Sequence, residues 1–173
     1  QRQGAGTFVA ERIVKSFSKL TSFTDDLRAR GLDPRPTFLE RRVGEVTPDE
    51  AMALNLSPGA QVVRYYRLRI AGDMALALER TVVPQSVLAD PSLVENSLYE
   101  TFSKLGLRPA RALQRLRAIA FDAEQARLMN LPEGSPGLFI ERRTFLEDGR
   151  VVEYTRSFYR GDAYDFVAEL QTE

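Results

Sequence analysis

The chain has 173 residues, 24 Lys plus Arg against 24 Asp plus Glu, and a formal net charge of zero. It contains no Cys and no His, which excludes disulfides, thiolate nucleophiles, Cys/His zinc sites and every Ser–His or Cys–His dyad. The balanced charge lacks the basic footprint of a free-standing DNA-binding domain, and no apolar run approaches the about 20 residues of a membrane span.

With 43% hydrophobic and 28% charged residues, the composition suits a soluble, intracellular chain of one domain. A chain of this length buries roughly two-thirds of its unfolded surface and needs no staple. Residues 1–20 read as a linker. Gly4-Ala5-Gly6-Thr7-Phe8-Val9 is a glycine-hinged extended piece, and the polar start is unlike a signal peptide. Thr21-Ser22-Phe23-Thr24-Asp25-Asp26-Leu27 then leads into a short helix stopped by Gly31 and Pro34. Residues 37–46 suit a strand. Thr47-Pro48-Asp49-Glu50 is a capping box that opens a helix ending near Leu54-Asn55-Leu56, with a turn at Pro58-Gly59.

Residues 61–71 and 75–83 read as two strands joined by the hairpin signal Ala71-Gly72-Asp73. Ser97-Leu98-Tyr99-Glu100 reads as a second capping box. Its helix stacks Leu98, Phe102 and Leu105 on one face and stops at Gly106. A strand at 110–121, a short helix from Asp122 through Leu128, and strands at 137–146 and 150–159 complete the order.

The chain repeats itself. Glu50-Ala51-Met52-Ala53-Leu54-Asn55-Leu56-Ser57-Pro58-Gly59 parallels Gln125-Ala126-Arg127-Leu128-Met129-Asn130-Leu131-Pro132-Glu133-Gly134, and each segment precedes a hairpin. One residue of slippage in the hairpin sets Arg67 against Arg142 and Glu79 against Glu153. Strand–helix–hairpin, used twice, predicts an α+β fold: one largely antiparallel sheet with helices packed on it and an internal pseudo-twofold.

Strand alternation puts Arg67 and Arg69 on one face. It groups Glu79 with Ala77 and Ala75. Glu153, Thr155, Ser157 and Tyr159 then form a polar face, opposite Val152, Tyr154 and Phe158. A polar strand face ordinarily meets solvent; the alternative is a polar cavity lined from both halves. Two guanidiniums on one face suit a phosphate or carboxylate. The helix starts at Ser22–Thr24 and Ser97 serve either as plain N-caps or as anion contacts.

In order and spacing these residues resemble the ligand-sensing (UTRA) domain of GntR-type transcription repressors of the HutC subfamily. The landmarks are Gly4-Ala5-Gly6-Thr7-Phe8-Val9-Ala10, Ser22-Phe23-Thr24-Asp25-Asp26 with Gly31, Arg67-Leu68-Arg69, Glu79 and Ser97-Leu98-Tyr99. Asn130-Leu131 with Gly134, Glu153, and Ser157-Phe158-Tyr159-Arg160-Gly161-Asp162 follow. The resemblance covers nearly the whole chain. It implies a chorismate-lyase-like fold, a homodimer, a cytoplasmic location and no cofactor, metal or membrane. Residues 1–20 are then the end of a winged-helix wing plus linker, and residues 21–173 the effector-binding and dimerisation domain. Operator DNA is bound by an N-terminal domain outside this chain.

In the amino-sugar-sensing members, a sugar phosphate fills the pocket. Carried over, Ser22, Phe23, Thr24, Arg67, Arg69, Ser97 and Tyr99 hold the phosphate, and Glu79, Glu153 and Tyr159 meet the sugar. N-acetylglucosamine 6-phosphate or glucosamine 6-phosphate is the first choice of effector, with urocanate or another sugar phosphate as alternatives. The likeness to a lyase fold also leaves open an enzyme acting on an anion, against which the absent His counts. One departure is Asp73-Met74-Ala75, which lacks the proline usual before the Glu and puts the hairpin geometry in question.

Overall fold

A computed structural model describes residues 12–173. The described chain begins with strand β1 (Ile13–Ser16) and helix α1 (Phe23–Arg28). The first half of the repeat follows: β2 (Pro34–Glu45), α2 (Pro48–Leu54), β3 (Gln61–Ala71) and β4 (Met74–Pro84). A 3-10 turn (Pro91–Leu93) and α3 (Leu98–Lys104) intervene. The second half is β5 (Pro109–Ala120), α4 (Ala123–Met129), β6 (Pro136–Leu146) and β7 (Val151–Arg160), and β8 (Tyr164–Val167) comes last. Six strands form one antiparallel sheet in the order β2-β3-β4-β7-β6-β5, which is the predicted α+β architecture.

The duplication is visible in local chemistry. Thr47 with Glu50, and Asp122 with Gln125, form reciprocal capping boxes at α2 and α4. Asn55 and Asn130 end those helices with the same left-handed backbone, φ 55° and ψ 47°. Asn tolerates that conformation better than other side-chain-bearing residues, which is why the two repeats share it. The pseudo-twofold passes between β4 and β7, where Arg80 pairs with Arg156.

Register corrects three details of strand parity. Leu76 in β4 and Val152 in β7 are each an extra residue without a cross-strand partner, so a bulge interrupts the alternation in both halves at equivalent points. Both are buried on the face that carries Arg67 and Arg69, so Val152 leaves the side of Tyr154 and Phe158. Ala75 packs instead with Leu78 on the opposite face. The same bulges reset the repeat. Arg67 does correspond to Arg142, but Glu79 corresponds to Thr155, because Arg67 pairs with Glu79 and Arg142 with Thr155. Glu153 pairs with Thr144 and matches Ala77.

Helices α2 and α4 cover one sheet face, with Leu54 and Met129 each fully buried against it. The other face is covered at one end by α1 with β1 and β8, and at the other by α3 with the 3-10 turn. Leu27 and Phe102, both 0% exposed, anchor these two lids, each side chain contributing about 1.5–3 kcal/mol by burial. The hairpin that lacks proline closes on a two-residue loop, with Gly72 at φ 60° and Ala71 paired with Met74.

Two further expectations change. Ile13–Ser16, read as linker, forms β1, which pairs in parallel with β8, a strand the sequence reading did not anticipate. Residues 1–11, including the Gly4–Ala10 landmark, lie outside the described residues. At α3, Ser97 caps Glu100 N, but the box is not reciprocated, because the Glu100 carboxylate pairs with Arg28 instead. Leu105 is 44% exposed and forms no part of the buried face.

Candidate functional site

The two lids on the Arg67/Arg69 face do not meet. Between them lies a hollow lined by β1, α1, β3, β4, α3, β6 and β7. All ten side chains singled out from the sequence reach it: Ser22, Phe23, Thr24, Arg67, Arg69, Glu79, Ser97, Tyr99, Glu153 and Tyr159. The expectation that the polar face of β7 meets solvent does not hold, since Glu153, Thr155, Ser157 and Tyr159 are all buried. The cavity volume is about 40 Å3, room for about three water-sized spheres.

Two charge clusters face each other across it. In the first, Glu79 Oε1 lies 3.0 Å from both Arg67 Nη2 and Arg69 Nη1. Arg69 Nη2 donates to Thr24 Oγ1 at 2.8 Å, its guanidinium stacks 4.6 Å from the Phe23 ring, and Arg67 Nη1 donates to the Asn96 carbonyl at 3.3 Å. One carboxylate oxygen therefore serves two buried guanidiniums. Burial pushes the Glu79 carboxyl up, but Arg69 and Arg67 more than offset this and hold it below the usual glutamate range. Burial, then the charge of Arg69, pulls Arg67 down to about 10, still charged at neutral pH. Arg67 Nε and Arg69 Nε are buried with no hydrogen-bond partner among the described residues.

In the second cluster, Glu153 Oε1 accepts from Tyr99 OH at 2.8 Å and Thr144 Oγ1 at 2.7 Å, and Oε2 accepts from Thr155 Oγ1 at 2.7 Å. Arg142, half-buried beside it, donates from Nε to Gln114 Oε1 at 2.9 Å and from Nη1 to Tyr99 OH and the Thr21 carbonyl, at 3.2 and 3.1 Å. Burial and the Glu153 charge raise the Tyr99 phenol far above its ordinary value, so it remains a donor. Tyr159 forms the floor between the clusters, held edge-on by Tyr164 at 4.8 Å and Phe166 at 5.3 Å.

Several lining residues escaped the sequence reading. Arg142 was legible as the repeat partner of Arg67 but was not carried into the site. Lys15 projects from β1, the segment taken as linker, and pairs with Asp26. Thr155 and Ser157 were placed on the right face without a role. The two helix starts behave as plain caps: Ser22 Oγ accepts from Asp25 N at 3.0 Å and Ser97 Oγ from Glu100 N at 3.3 Å. Among the described residues, no group of three or more acidic side chains is placed to hold a metal ion. No helix among them is long and apolar enough to cross a membrane.

Chemically, the hollow is an enclosed anion receptor with a polar second wall. Lys15, Arg67, Arg69 and Arg142 face two carboxylates, Glu79 and Glu153.

Comparison with known proteins agrees with this architecture. The chain is 31% identical over 95% of its length to the HTH-type transcriptional repressor NagR of Bacillus subtilis, covering 70% of that protein. It is 32% identical over 98% of its length to the mannosyl-D-glycerate transport/metabolism system repressor MngR of Escherichia coli, covering 72% of it. The crystal structure of the effector domain of PhnF from Mycobacterium smegmatis superposes with a TM-score of 0.86 at 23% identity, over 92% of this chain and all (100%) of that one. Residues 29–165 match the UTRA domain family. The chain belongs to the UTRA domain family and is the effector domain of a GntR-type transcription regulator.

Proposed function

We propose that this domain senses a phosphorylated sugar, with N-acetylglucosamine 6-phosphate or glucosamine 6-phosphate as first choice, and thereby controls DNA binding by a winged-helix domain N-terminal to it. The observation that carries the reading is the sharing of one Glu79 oxygen by Arg67 and Arg69 in a hollow where four cations face two carboxylates. Such a pair lacks a counter-charge, and a phosphate monoester, with a charge of about −1.5 to −2 at neutral pH, supplies one. Arg67 and Arg69, with Ser22, Phe23, Thr24, Ser97 and Tyr99, form the phosphate end of this reading. Glu79, Glu153 and Tyr159 form the sugar end, where carboxylates accept from hydroxyls. The likeness to NagR, named as an HTH-type transcriptional repressor, supports control of DNA binding.

A ligand-sized pocket holds several hundred Å3, far more than the about 40 Å3 enclosed here. Entry of a hexose phosphate must therefore displace the lids built on α1 and α3. That displacement is the conformational signal, and its coupling to operator affinity is reciprocal. The reading includes a HutC-type homodimer working in the cytoplasm, with β1 (Ile13–Ser16) and residues 21–173 together as the sensing and dimerising unit. It includes no catalytic step, since the chain has no His to move a proton near neutrality.

Calorimetry against the two amino-sugar phosphates, their unphosphorylated parents, urocanate and inorganic phosphate tests the proposal. Binding of a phosphorylated sugar in preference to its parent is the expected result. A folded protein silent to every phosphorylated ligand, or turnover of any of them, ends it.

A further inference from the structure

Lys15 is 3% exposed and reaches the hollow from β1, the described strand that follows residues 1–11. Its ammonium has three donors, and one is taken by the Asp26 carboxylate of α1. The others have no partner among the described residues, while the nitrogen stands 6.0 Å from the centre of the Tyr159 ring. An ion pair made only to pin β1 onto α1 has no need to face a cavity. An apolar side chain would close the same contact without burying a charge, and buried lysines are rare unless paired.

A second connection runs to the same segment. The Phe17 carbonyl accepts from Gln114 Nε2 at 3.1 Å, and Gln114 Oε1 accepts from Arg142 Nε at 2.9 Å. Two cations of the hollow, one directly and one through a glutamine, thus hold the stretch from Lys15 to Phe17. Beyond these ties β1 is a four-residue strand paired with β8 and flanked by Arg12 on Asp165 and Arg30 on the Val14 carbonyl, so its opening is a local event that one added tie can slow.

We propose that Lys15 is itself an effector contact, so that the chain from Arg12 to Phe17 is a wall of the binding site and is fastened by the bound anion. This rests on the sensing function proposed above and specifies how occupancy leaves the domain: through β1, toward whatever precedes residue 12. The anion takes the donors that Asp26 leaves free, and β1 is then tied to α1, to the ligand and, through Gln114, to Arg142.

The test uses this chain with N-acetylglucosamine 6-phosphate and its unphosphorylated parent as probes. Hydrogen exchange is followed at two amides, Ile13 N and Phe17 N, which donate to the Ala163 and Val167 carbonyls at 2.7 Å each. The phosphorylated probe is expected to slow both by about tenfold or more, the scale of one added charge-assisted bond. In Lys15→Met its affinity is expected to fall about tenfold and the slowing to vanish, with the parent's affinity changed less than about twofold. Asp26→Asn, which frees the ammonium, is expected to bind the phosphorylated probe at least as tightly as the native chain.

Equal losses for both probes in Lys15→Met, no loss for either, or a loss in Asp26→Asn matching that of Lys15→Met would each show a purely structural pair and overturn the inference. If Lys15→Met does not fold, the exchange on the native chain and the Asp26→Asn affinity decide it. Should the native chain bind no phosphorylated probe at all, the sensing function itself falls. Binding without any change at Ile13 and Phe17 removes this inference and leaves the function standing.

Discussion

Replacing Glu79 by Gln isolates the charge at the centre of the hollow, because the amide keeps the shape and one acceptor oxygen. The carboxylate is 3.0 Å from two guanidinium nitrogens, and all three side chains are at most 8% exposed. At an effective dielectric near 20, unit charges about 4 Å apart attract by about 4 kcal/mol, and two such attractions are lost. Against this stands the desolvation of the carboxylate, several kcal/mol, which the amide no longer incurs. The net expectation is a loss of about 3–5 kcal/mol, the range found when one partner of a buried ion pair is removed. For a domain of this size that corresponds to a drop on the order of 10 °C in melting temperature.

The pH dependence follows from the direction of the Glu79 shift. Its folded-state pKa is depressed below the ordinary 4.5, so its contribution is complete above that value and disappears as pH falls through the folded pKa. Native and Glu79→Gln chains should therefore differ most at neutral pH and converge in acid. Urea unfolding across that range measures the difference. A phosphorylated sugar should also raise the melting temperature of Glu79→Gln more than that of the native chain, because it replaces the missing counter-charge. A difference under about 1 kcal/mol at neutral pH, or one that stays constant into acid, would mean that water already screens the pair and that the hollow is not the low-dielectric receptor described.

Arg69→Ala should cost a phosphorylated ligand about 2 kcal/mol or more, roughly 30-fold by calorimetry, since it strips a charge-assisted contact; an unchanged affinity places the anion elsewhere. Affinity for such a ligand should rise between about pH 5 and 7, following its own second ionisation near 6, because the chain has no His to titrate there. An unphosphorylated sugar should show no such rise. Phe102→Ala empties a fully buried position under α3 and should lower stability by about 3–5 kcal/mol in urea unfolding.

What the sequence made legible divides along physical lines. Local signals gave clear answers where backbone and side chain act within a few residues. The box at Thr47, the helix end at Asn55 and the hairpin at Gly72 form as read, while the box read at Ser97 keeps only its Ser97 half. Strand parity put Arg67 and Arg69 on one face, and it holds there because no bulge separates them from Glu79 and Ala77, their partners on β4. It failed where a register shift intervened, at Ala75 and Val152, since an inserted residue leaves no mark in an alternating apolar pattern. Polarity alone misread β7, because burial of Glu153 depends on Tyr99 of α3 and Thr144 of β6 arriving from other elements. Lys15 was lost for a similar reason. Four residues pairing with a distant β8 carry too little periodicity to announce a strand, and the charge they deliver reads as solvated until α1 closes over it.

The register also explains why a duplicated scaffold builds a one-way receptor. Equivalent positions in the two halves carry Arg67 and Arg142, Arg69 and Thr144, Ala77 and Glu153, Glu79 and Thr155. Had the halves stayed alike, the pseudo-twofold between β4 and β7 would have offered a ligand two opposed orientations of equal energy. Instead, the first half concentrates two guanidiniums on one carboxylate, while in the second three hydroxyls donate to the carboxylate and Arg142 is engaged by Gln114, Tyr99 and Thr21. An anionic group therefore gains most at the Arg67/Arg69 end, and hydroxyls find their acceptor at the Glu153 end. Reversing the ligand would set its charge against the Glu153 carboxylate and leave the arginine pair with Glu79 as its one counter-ion. Loss of symmetry between the repeats, more than any single residue, is what gives the hollow a direction.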